Sequence, residues 1–225
     1  MSKSEATVEL SEQESVYIIF SSTNCGVGKF IRTVTGGFYN HVSVSFDPSL
    51  REMYSFARYH KSAPLYAGFV CESCERYLAN KATPIKVCRI PLNSERYLLE
   101  KSRIEQMRVH KNYYVYNLLS AIFYPLHYKV DIKDAYTCVE FAVTTLNNVG
   151  IPKSIPRFCS IQNLETLLAD RVVYEGLYPE PSPSTVRCDD RFFDKIGFSD
   201  ALFKTLWNNA RLVKRLILQL FKLSQ

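Results

Sequence analysis

The stretch DAYTCVEFAVTTLNNVG, residues 134–150, places a cysteine near the start of an amphipathic pattern. Its apolar residues recur at helical spacing, namely Val139, Ala142, Val143, Leu146 and Val149, and its polar residues Glu140, Thr144, Asn147 and Asn148 fall on the other side. The pattern predicts a helix with Asp134 as its N-cap and Gly150 and Pro152 as its stop. Cys138 then lies in or just after the first turn, where free backbone N–H groups and the helix dipole favour a thiolate. The alternative is that Cys138 is a small buried side chain, which is common for a free cysteine.

A second stretch, FYNHVSVSFDPSLREMYSF at residues 38–56, predicts a β-hairpin with a histidine at its start. His41, Ser43 and Ser45 alternate with Val42, Val44 and Phe46, which is typical of a half-buried strand. The turn signal Asp47-Pro48-Ser49 leads into a second strand from Glu52 to Phe56. Pairing parity places Met53 and Ser55 on the face of His41, away from the apolar layer.

Together these stretches resemble a known family. The segments YNHVS (39–43), MYSF (53–56), AGFV (67–70), YNLL (116–119) and YTCVEFAV (136–143) resemble the circularly permuted branch of the NlpC-type, papain-like superfamily. That branch includes the YiiX-like bacterial hydrolases and, more distantly, the lecithin retinol acyltransferase group. The resemblance runs from about Tyr17 to Gly176 and implies an antiparallel sheet packed against the cysteine helix.

The resemblance assigns roles to several residues. Cys138 matches the nucleophile of the family and His41 its base, in the reverse of papain's chain order. Members often carry a second histidine, a glutamate or another acceptor as the third, orienting residue. Here the hairpin offers Ser55 on the expected face, which we predict as the orienting residue, and Glu52 near the turn. The backbone N–H of Cys138 and residues Tyr136, Asn40 and Tyr116 are the candidates for oxyanion and substrate contacts.

Composition limits the classes of protein that need considering. The chain has 225 residues, of which 47% are apolar, enough for a substantial core. Its net charge of +6 is modest and its 28 Lys and Arg form no dense run, which argues against nucleic acid as a partner. Seven cysteines at irregular spacing, with no signal peptide, favour reduced thiols and a cytoplasmic location. The CxxC pair Cys71 and Cys74 lacks a second pair, so we expect no metal or other cofactor.

The domain organisation follows from changes in composition. We expect a disordered N-terminus at residues 1–14, an α+β catalytic domain at 15–176, a proline-rich linker at 177–198 and a basic amphipathic helix at 199–225. Within the domain, further elements are predicted as a strand at Val16–Phe20, a helix at Gly26–Thr35, strands at Gly68–Cys71 and Pro84–Leu92, a helix from Asn93 or Ser94 to His110, a helix at Ser160–Asp170 and a strand at Arg171–Glu175.

Two further segments allow more than one interpretation. Residues 112–126, NYYVYNLLSAIFYPL, are apolar nearly all round, which predicts a buried helix, although their tyrosines could equally line a substrate pocket. The C-terminal helix has a polar stripe formed by Lys204, Asn208, Arg211, Arg215, Gln219 and Lys222. Its broad apolar face includes Phe203, Leu206, Trp207, Ala210, Val213, Ile217, Leu220 and Phe221. This helix fits packing on its own domain, self-association or peripheral contact with a membrane.

These observations predict a thiol-dependent hydrolase of the peptidase or amidase kind, acting through a thioester on Cys138. The substrate would be a peptide, an acyl-amide or a lipid ester. Two alternatives stay open. One is a lipid or N-acyl acyltransferase at a membrane surface, and the other is a non-catalytic binding protein on the same fold.

Overall fold

One sheet of eight strands organises the chain in a computed structural model, which describes residues 14–23, 37–79, 83–151, 155–179 and 188–223. The strands are β1 (Ser15–Ser21), β2 (His41–Ser45), β3 (Met53–Arg58), β4 (Ala67–Glu72), β5 (Pro84–Pro91), β6 (Val115–Tyr116), β7 (Ala135–Tyr136) and β8 (Val172–Leu177). Across the sheet their order is β7-β6-β4-β3-β2-β1-β5-β8. The pair β6 and β7 is parallel, and the other pairs are antiparallel.

Six helices in the described residues complete the α+β architecture. They are α1 (Glu75–Leu78), α2 (Ser94–Val109), α3 (Leu118–Phe123), α4 (Cys138–Asn148), α5 (Ile161–Leu167) and α6 (Phe198–Leu223). The cap residues explain several of the starts: Asn93 accepts from the backbone of Arg96 at α2, and Ser160 accepts from Asn163 at α5. The α+β class predicted from the sequence is confirmed, while the predicted helix at Gly26–Thr35 lies outside the described residues.

The two faces of the sheet carry cores of different size. The larger core joins Phe56 and Phe69 of the hairpin strands to Phe141 of α4, with ring centroids 5.5 and 5.7 Å from Phe141. On the opposite face a smaller cluster is covered by Tyr77 and Tyr178, whose rings stack 4.9 Å apart. Strands with alternating apolar residues could bury both faces because α4 covers one and the aromatic cluster covers the other.

The segment from 112 to 126 does not form the single buried helix that its composition predicts. It divides into a 3₁₀ turn, the short strand β6, helix α3 and a second 3₁₀ turn. The break occurs at Asn117, whose side-chain oxygen caps α3 by accepting from the backbone N–H of Ser120, while its own N–H donates to the carbonyl of Tyr136. Ile122 and Leu126 are exposed, so the buried-helix prediction is wrong for this segment.

Two cysteines that are far apart in the sequence are joined in the structure. Cys71 of β4 and Cys188 form a disulfide that spans 117 residues, with the Cα atoms 5.5 Å apart. The expectation that all the thiols are reduced is therefore wrong for this pair, since no local spacing could reveal a partner so distant in sequence. Cys74, Cys88, Cys138 and Cys159 are free among the described residues.

Both described ends of the predicted linker at 177–198 contact the domain. Tyr178 is buried, and its hydroxyl donates to the carbonyl of Leu50 over 2.7 Å. The backbone N–H of Lys61 donates to the carbonyl of Phe192 over 2.8 Å.

Helix α6 docks on the sheet edge formed by β6 and β7. Leu212 is buried there and belongs to a cluster with Val115, Ile132 and Ala135. The sequence of α6 is too polar to cross a membrane, and no helix in the described part of the chain is long and apolar enough to do so.

Candidate functional site

Cys138 is the first residue of helix α4, at the end of the helix that faces the start of β2. The residue that caps this helix is Thr137, since its hydroxyl accepts from the backbone N–H of Glu140 over 3.2 Å. The Glu140 carboxylate in turn accepts from the backbone N–H of Thr137 over 2.7 Å, which completes a capping box. The prediction that Asp134 caps the helix is wrong, because Asp134 has a left-handed backbone (φ 57°) and precedes the short strand β7.

The other end of α4 stops as the sequence predicts. Gly150 adopts a left-handed backbone with φ of 74°, which suits a glycine just beyond the end of a helix. A Cβ at this position would lie 2.5 Å from the guanidinium of Arg96, which donates to the carbonyl of Val149. The length of α4 is thus fixed at both ends, and its first residue is held in one place.

His41, the first residue of β2, reaches the Cys138 thiol. The two side chains lie close enough for the thiol to raise the pKa of the imidazole. The imidazole Nε2–H also donates to Oε1 of Glu72 over 2.7 Å. The two residues are nearly a hundred positions apart in the chain, and the contact between β2 and α4 brings them together as the sequence predicts.

Glu72, the last residue of β4, is the acceptor that orients His41. Its side chain is 1% exposed and accepts from three hydroxyl groups besides the imidazole. Ser43 donates to Oε2 and Ser55 to Oε1, each over 2.7 Å, and Tyr77 donates to Oε2. The prediction of Ser55 as the orienting residue is wrong, because the Ser55 hydroxyl bonds the carboxylate that holds His41 rather than the imidazole.

The close contact between Glu72 and His41 shifts the titration of both. Burial by itself lowers the pKa of His41, but the charge of Glu72 and the hydrogen bonds to Cys138 and Glu72 outweigh burial and raise this pKa from 6.5 to about 10. Burial likewise favours the neutral form of Glu72, but the charge and hydrogen bond of His41, with contributions from Arg76 and Ser43, hold its pKa well below the usual range. At neutral pH the site therefore holds an imidazolium beside a carboxylate.

A second layer of contacts keeps Glu72 in place. Arg76 lies 4.0 Å from Oε1 of Glu72. The Arg76 guanidinium binds the carboxylate of Asp190 in a bidentate manner, with distances of 2.5 and 2.6 Å, and stacks on the ring of Phe192 at 4.4 Å. Because Asp190 follows the disulfide residue Cys188 closely, the far end of the chain supports the carboxylate of the site.

The three predicted oxyanion and substrate residues lie in different surroundings. Asn40 is buried and its amide is occupied by Thr23, to whose carbonyl it donates over 2.9 Å and from whose N–H and hydroxyl it accepts. Tyr136 packs its ring against Phe56 at 5.2 Å, in the large core. Tyr116 lies near the thiol, since burial and the charge of Cys138 both raise its pKa. Of the three, Tyr116 is the residue placed beside Cys138.

A cleft adjoins the N-terminus of α4. One narrow cavity is lined by Thr137 and Val139, the residues on either side of Cys138, and shares Tyr124 and Phe158 with a second cavity of about 560 Å³. Burial and, to a smaller extent, the charge of Cys138 raise the pKa of Tyr124, so this tyrosine lies near the thiol and also lines the larger cavity. Of the tyrosines in segment 112–126, Tyr124 lines both cavities, whereas Tyr113, Tyr114 and Tyr116 line neither.

Gln162 and Glu72 are polar residues of this region that the sequence analysis does not single out. Gln162 lines the larger cavity, and its side-chain Nε2 is buried with no hydrogen-bond acceptor in the described residues. Glu72 follows five buried residues of β4, and a carboxylate at the end of a fully buried strand is a signal that could have identified it. In the described ranges, no group of three or more His, Cys, Asp and Glu side chains is arranged to hold a metal ion.

Comparisons of the chain with protein families, with curated proteins and with solved structures find no match.

Proposed function

We propose that the protein is a thiol-dependent hydrolase of the peptidase or amidase type, with Cys138 as nucleophile, His41 as proton carrier and Glu72 as the residue that orients and charges the histidine. The observation that carries this proposal is the position of one imidazole between a thiol and a buried carboxylate. Nucleophile, base and orienting acceptor in hydrogen-bonding series are the geometric signature of covalent acyl transfer.

The charges of the site define how the reaction begins. With Glu72 ionised, His41 holds a proton at neutral pH, and we propose that the nucleophile it faces attacks in the thiolate form. The first N–H groups of α4, which have no acceptor within the helix, add positive potential at the sulfur.

The chemical steps then follow. The sulfur attacks the carbonyl carbon, and the carbonyl oxygen takes up the electron pair as an oxyanion beside the backbone N–H of Cys138. Collapse of this intermediate breaks the C–N bond, and His41 gives its proton to the departing amine. The thioester that remains is attacked by water, which transfers a proton to His41, and the acid departs as the thiolate is restored.

The order of elements agrees with the resemblance seen in the sequence. The histidine strand β2 precedes the cysteine helix α4, and the sheet between them is antiparallel except at β6 and β7. We therefore propose that the domain is a circularly permuted papain-like fold of the NlpC type. Glu72 then fills the third position for which this family often uses a glutamate.

The cleft beside Tyr124 is the proposed substrate site. Its walls combine aromatic side chains, among them Tyr124 and Phe158, with the amide residues Gln162 and Asn163. Aromatic rings bind apolar or planar groups, and amide side chains can hydrogen-bond a substrate carbonyl. An acylated amine with an apolar acyl group fits this lining.

Intact-mass detection of a covalent adduct with a panel of activated acyl probes tests the proposal. Wild type should gain the mass of one acyl group, and Cys138→Ala should gain none. Cys159→Ala is the matched control, since Cys159 is a second free cysteine on the same cleft and should leave the adduct unchanged. An adduct that survives Cys138→Ala, or no adduct with any probe, contradicts the proposal and favours a non-catalytic binding protein.

Acyl transfer is the second candidate, favoured by the aromatic lining next to the thiol. The same thioester would be resolved by an amine or alcohol in place of water. Adding such acceptors to the acylated protein separates the two reactions, because a transferase releases the acylated acceptor and a hydrolase releases the free acid.

A further inference from the structure

Helix α6 turns its apolar face away from the domain. Its polar stripe makes the contacts with the protein: Asn208 donates to the carbonyl of Ala67 over 2.7 Å, Arg215 donates to the carbonyl of Asp134 over 2.8 Å, and Gln219 donates to the carbonyl of Asp131 over 3.0 Å. The opposite side is exposed and includes Leu202, Phe203, Leu206, Trp207, Val213, Ile217, Leu218 and Leu220. We name these eight residues the outer face of α6.

The outer face is long and continuous. Its residues lie along a helix of 26 residues, about 39 Å in length. Each is about half exposed or more, and Trp207 is 63% exposed. Monomeric proteins in water rarely leave an apolar stripe of this length uncovered, so the stripe indicates a binding surface.

The charge of the helix indicates what the outer face binds. Residues 198–223 contain five Lys or Arg and a single acid, Asp200, which gives +4 of the +6 of the whole chain. Lys204, Lys214 and Lys222 are exposed, and Lys214 stands within the outer face. A second copy seated on this face would bring two such helices together, so their like charges oppose self-association. An anionic lipid surface satisfies both the charge and the apolar side chains.

We infer that α6 is an interfacial helix that lies in the plane of an anionic membrane, with the outer face inserted among the lipids and the polar stripe holding the domain. The aromatic residues Phe203 and Trp207 would enter the boundary between headgroups and acyl chains. The inference rests on the outer face and its charge, and it is independent of the chemistry proposed for Cys138.

Vesicle binding by the full chain tests this inference. The probes are vesicles of phosphatidylcholine alone and of equal parts phosphatidylcholine and phosphatidylglycerol. Wild type should sediment with the anionic vesicles and much less with the neutral ones. Trp207 is the only tryptophan, so its fluorescence should shift to shorter wavelength on binding and reports the insertion directly.

Two variants distinguish vesicle binding through the outer face from non-specific binding by the rest of the protein. Phe203→Glu combined with Ile217→Glu should weaken binding at least about tenfold, since it removes two apolar side chains from the lipid and adds two negative charges. Leu99→Glu is the matched control, because Leu99 is an exposed leucine of α2 with 65% exposure, and it should bind like wild type. Cys138→Ala should also bind like wild type.

Several results would overturn the inference. Equal sedimentation of wild type and the double variant, equal binding to both kinds of vesicle, or no sedimentation and no fluorescence shift each exclude an inserted, charge-assisted helix. A wild-type dimer in light scattering that the double variant converts to monomer, without vesicle binding, assigns the outer face to a second copy instead. Circular dichroism of the double variant establishes that its helix content is retained.

Discussion

Helix α4 buries its apolar side chains against the sheet, whereas helix α6 turns most of its apolar side chains away from the domain. In α4, Phe141, Ala142 and Leu146 are fully buried in the large core. In α6, Leu212 is the one large apolar side chain that is fully buried in the described residues, and the neighbouring Val213 is exposed. Both sequences are amphipathic, so the pattern alone does not tell which face meets the protein.

The difference lies in what each helix packs against. Helix α4 lies on a sheet face made of apolar side chains, which only apolar residues can cover without loss. Helix α6 lies on the edge of the sheet, where backbone carbonyls such as those of Ala67, Tyr113 and Asp134 accept from its amides and guanidinium groups. A polar stripe therefore docks well at a sheet edge, and the apolar face is left for a different surface.

The largest expected effect concerns the N-terminus of α4 and its thiol. Cys138 is 9% exposed and Cys159 is more exposed, yet we expect iodoacetamide at pH 7 to label Cys138 at least about 100-fold faster. Burial raises the pKa of Cys159 to about 11, which leaves almost no thiolate there, while Cys138 faces an imidazolium. Site-resolved mass spectrometry measures both rates. If Cys159 is instead labelled faster, as its greater exposure alone would predict, then Cys138 is an inert cysteine and α4 is an ordinary core helix.

The next effect concerns the carboxylate beneath that thiol. Glu72→Gln removes the charge that raises the pKa of His41, so this pKa should fall, because burial favours the neutral imidazole. We expect the acylation rate to fall roughly 10- to 100-fold at neutral pH, since the imidazole loses both its orientation and its proton. The pH dependence of the Cys138 labelling rate should shift to lower pH together with the pKa of His41. Ser55→Ala, which leaves the carboxylate in place, is the control and should change the rate far less.

The ion pair of His41 and Glu72 also predicts how the free energy of unfolding depends on pH. The pKa of His41 is raised on folding, so its contribution to the free energy of unfolding is complete below about 6.5 and is lost as the pH rises towards about 10. The pKa of Glu72 is lowered, so its contribution is present above about 4.5 and is lost as the pH falls below that value. Urea unfolding should show wild type losing stability between pH 6.5 and 10. His41→Ala should lose less across that range, and an equal slope in both proteins would contradict the ion pair.

These effects separate what the sequence predicts from what it leaves out. Cys138 and His41 stand in local patterns, at a helix start and a strand start, and both were identified. Glu72 stands in no such pattern, because it lies within a CxxC pair that is typical of metal sites and its reach to His41 depends on the register of three strands. The pairing of Cys71 with Cys188 has no local signal at all. Packing of α6 on its own domain is one of the alternatives that the sequence leaves open, but the sequence does not tell which face meets the domain, because helical spacing defines two faces without their neighbours.

Removing the disulfide between Cys71 and Cys188 tests whether α6 stays docked without this cross-link. Cys188→Ser should lower the free energy of unfolding by about 2–4 kcal/mol, because the unfolded chain loses a cross-link over a long loop. The difference from wild type should vanish in the presence of a reductant, which serves as the control. Native circular dichroism should not change, since the hydrogen bonds of Asn208 and Arg215 remain. A loss of helix content on reduction would show that the disulfide, rather than the contacts with the sheet edge, holds α6 in place.

The smallest effect is the sharpest test of the two helix faces, because it compares two adjacent residues. Leu212 is 2% exposed and Val213 is 47% exposed. Leu212→Ala should cost about 2–3 kcal/mol, the usual range for removing a buried leucine, and Leu146→Ala in α4 should cost at least as much. Val213→Ala should cost under about 0.5 kcal/mol, as at other surface positions, when measured by urea unfolding without lipid. With anionic vesicles the order reverses, since Val213→Ala should weaken binding more than Leu212→Ala. If Val213→Ala instead destabilises the lipid-free protein as much as Leu212→Ala does, the apolar face of α6 is packed against protein in solution, and the contrast with α4 disappears.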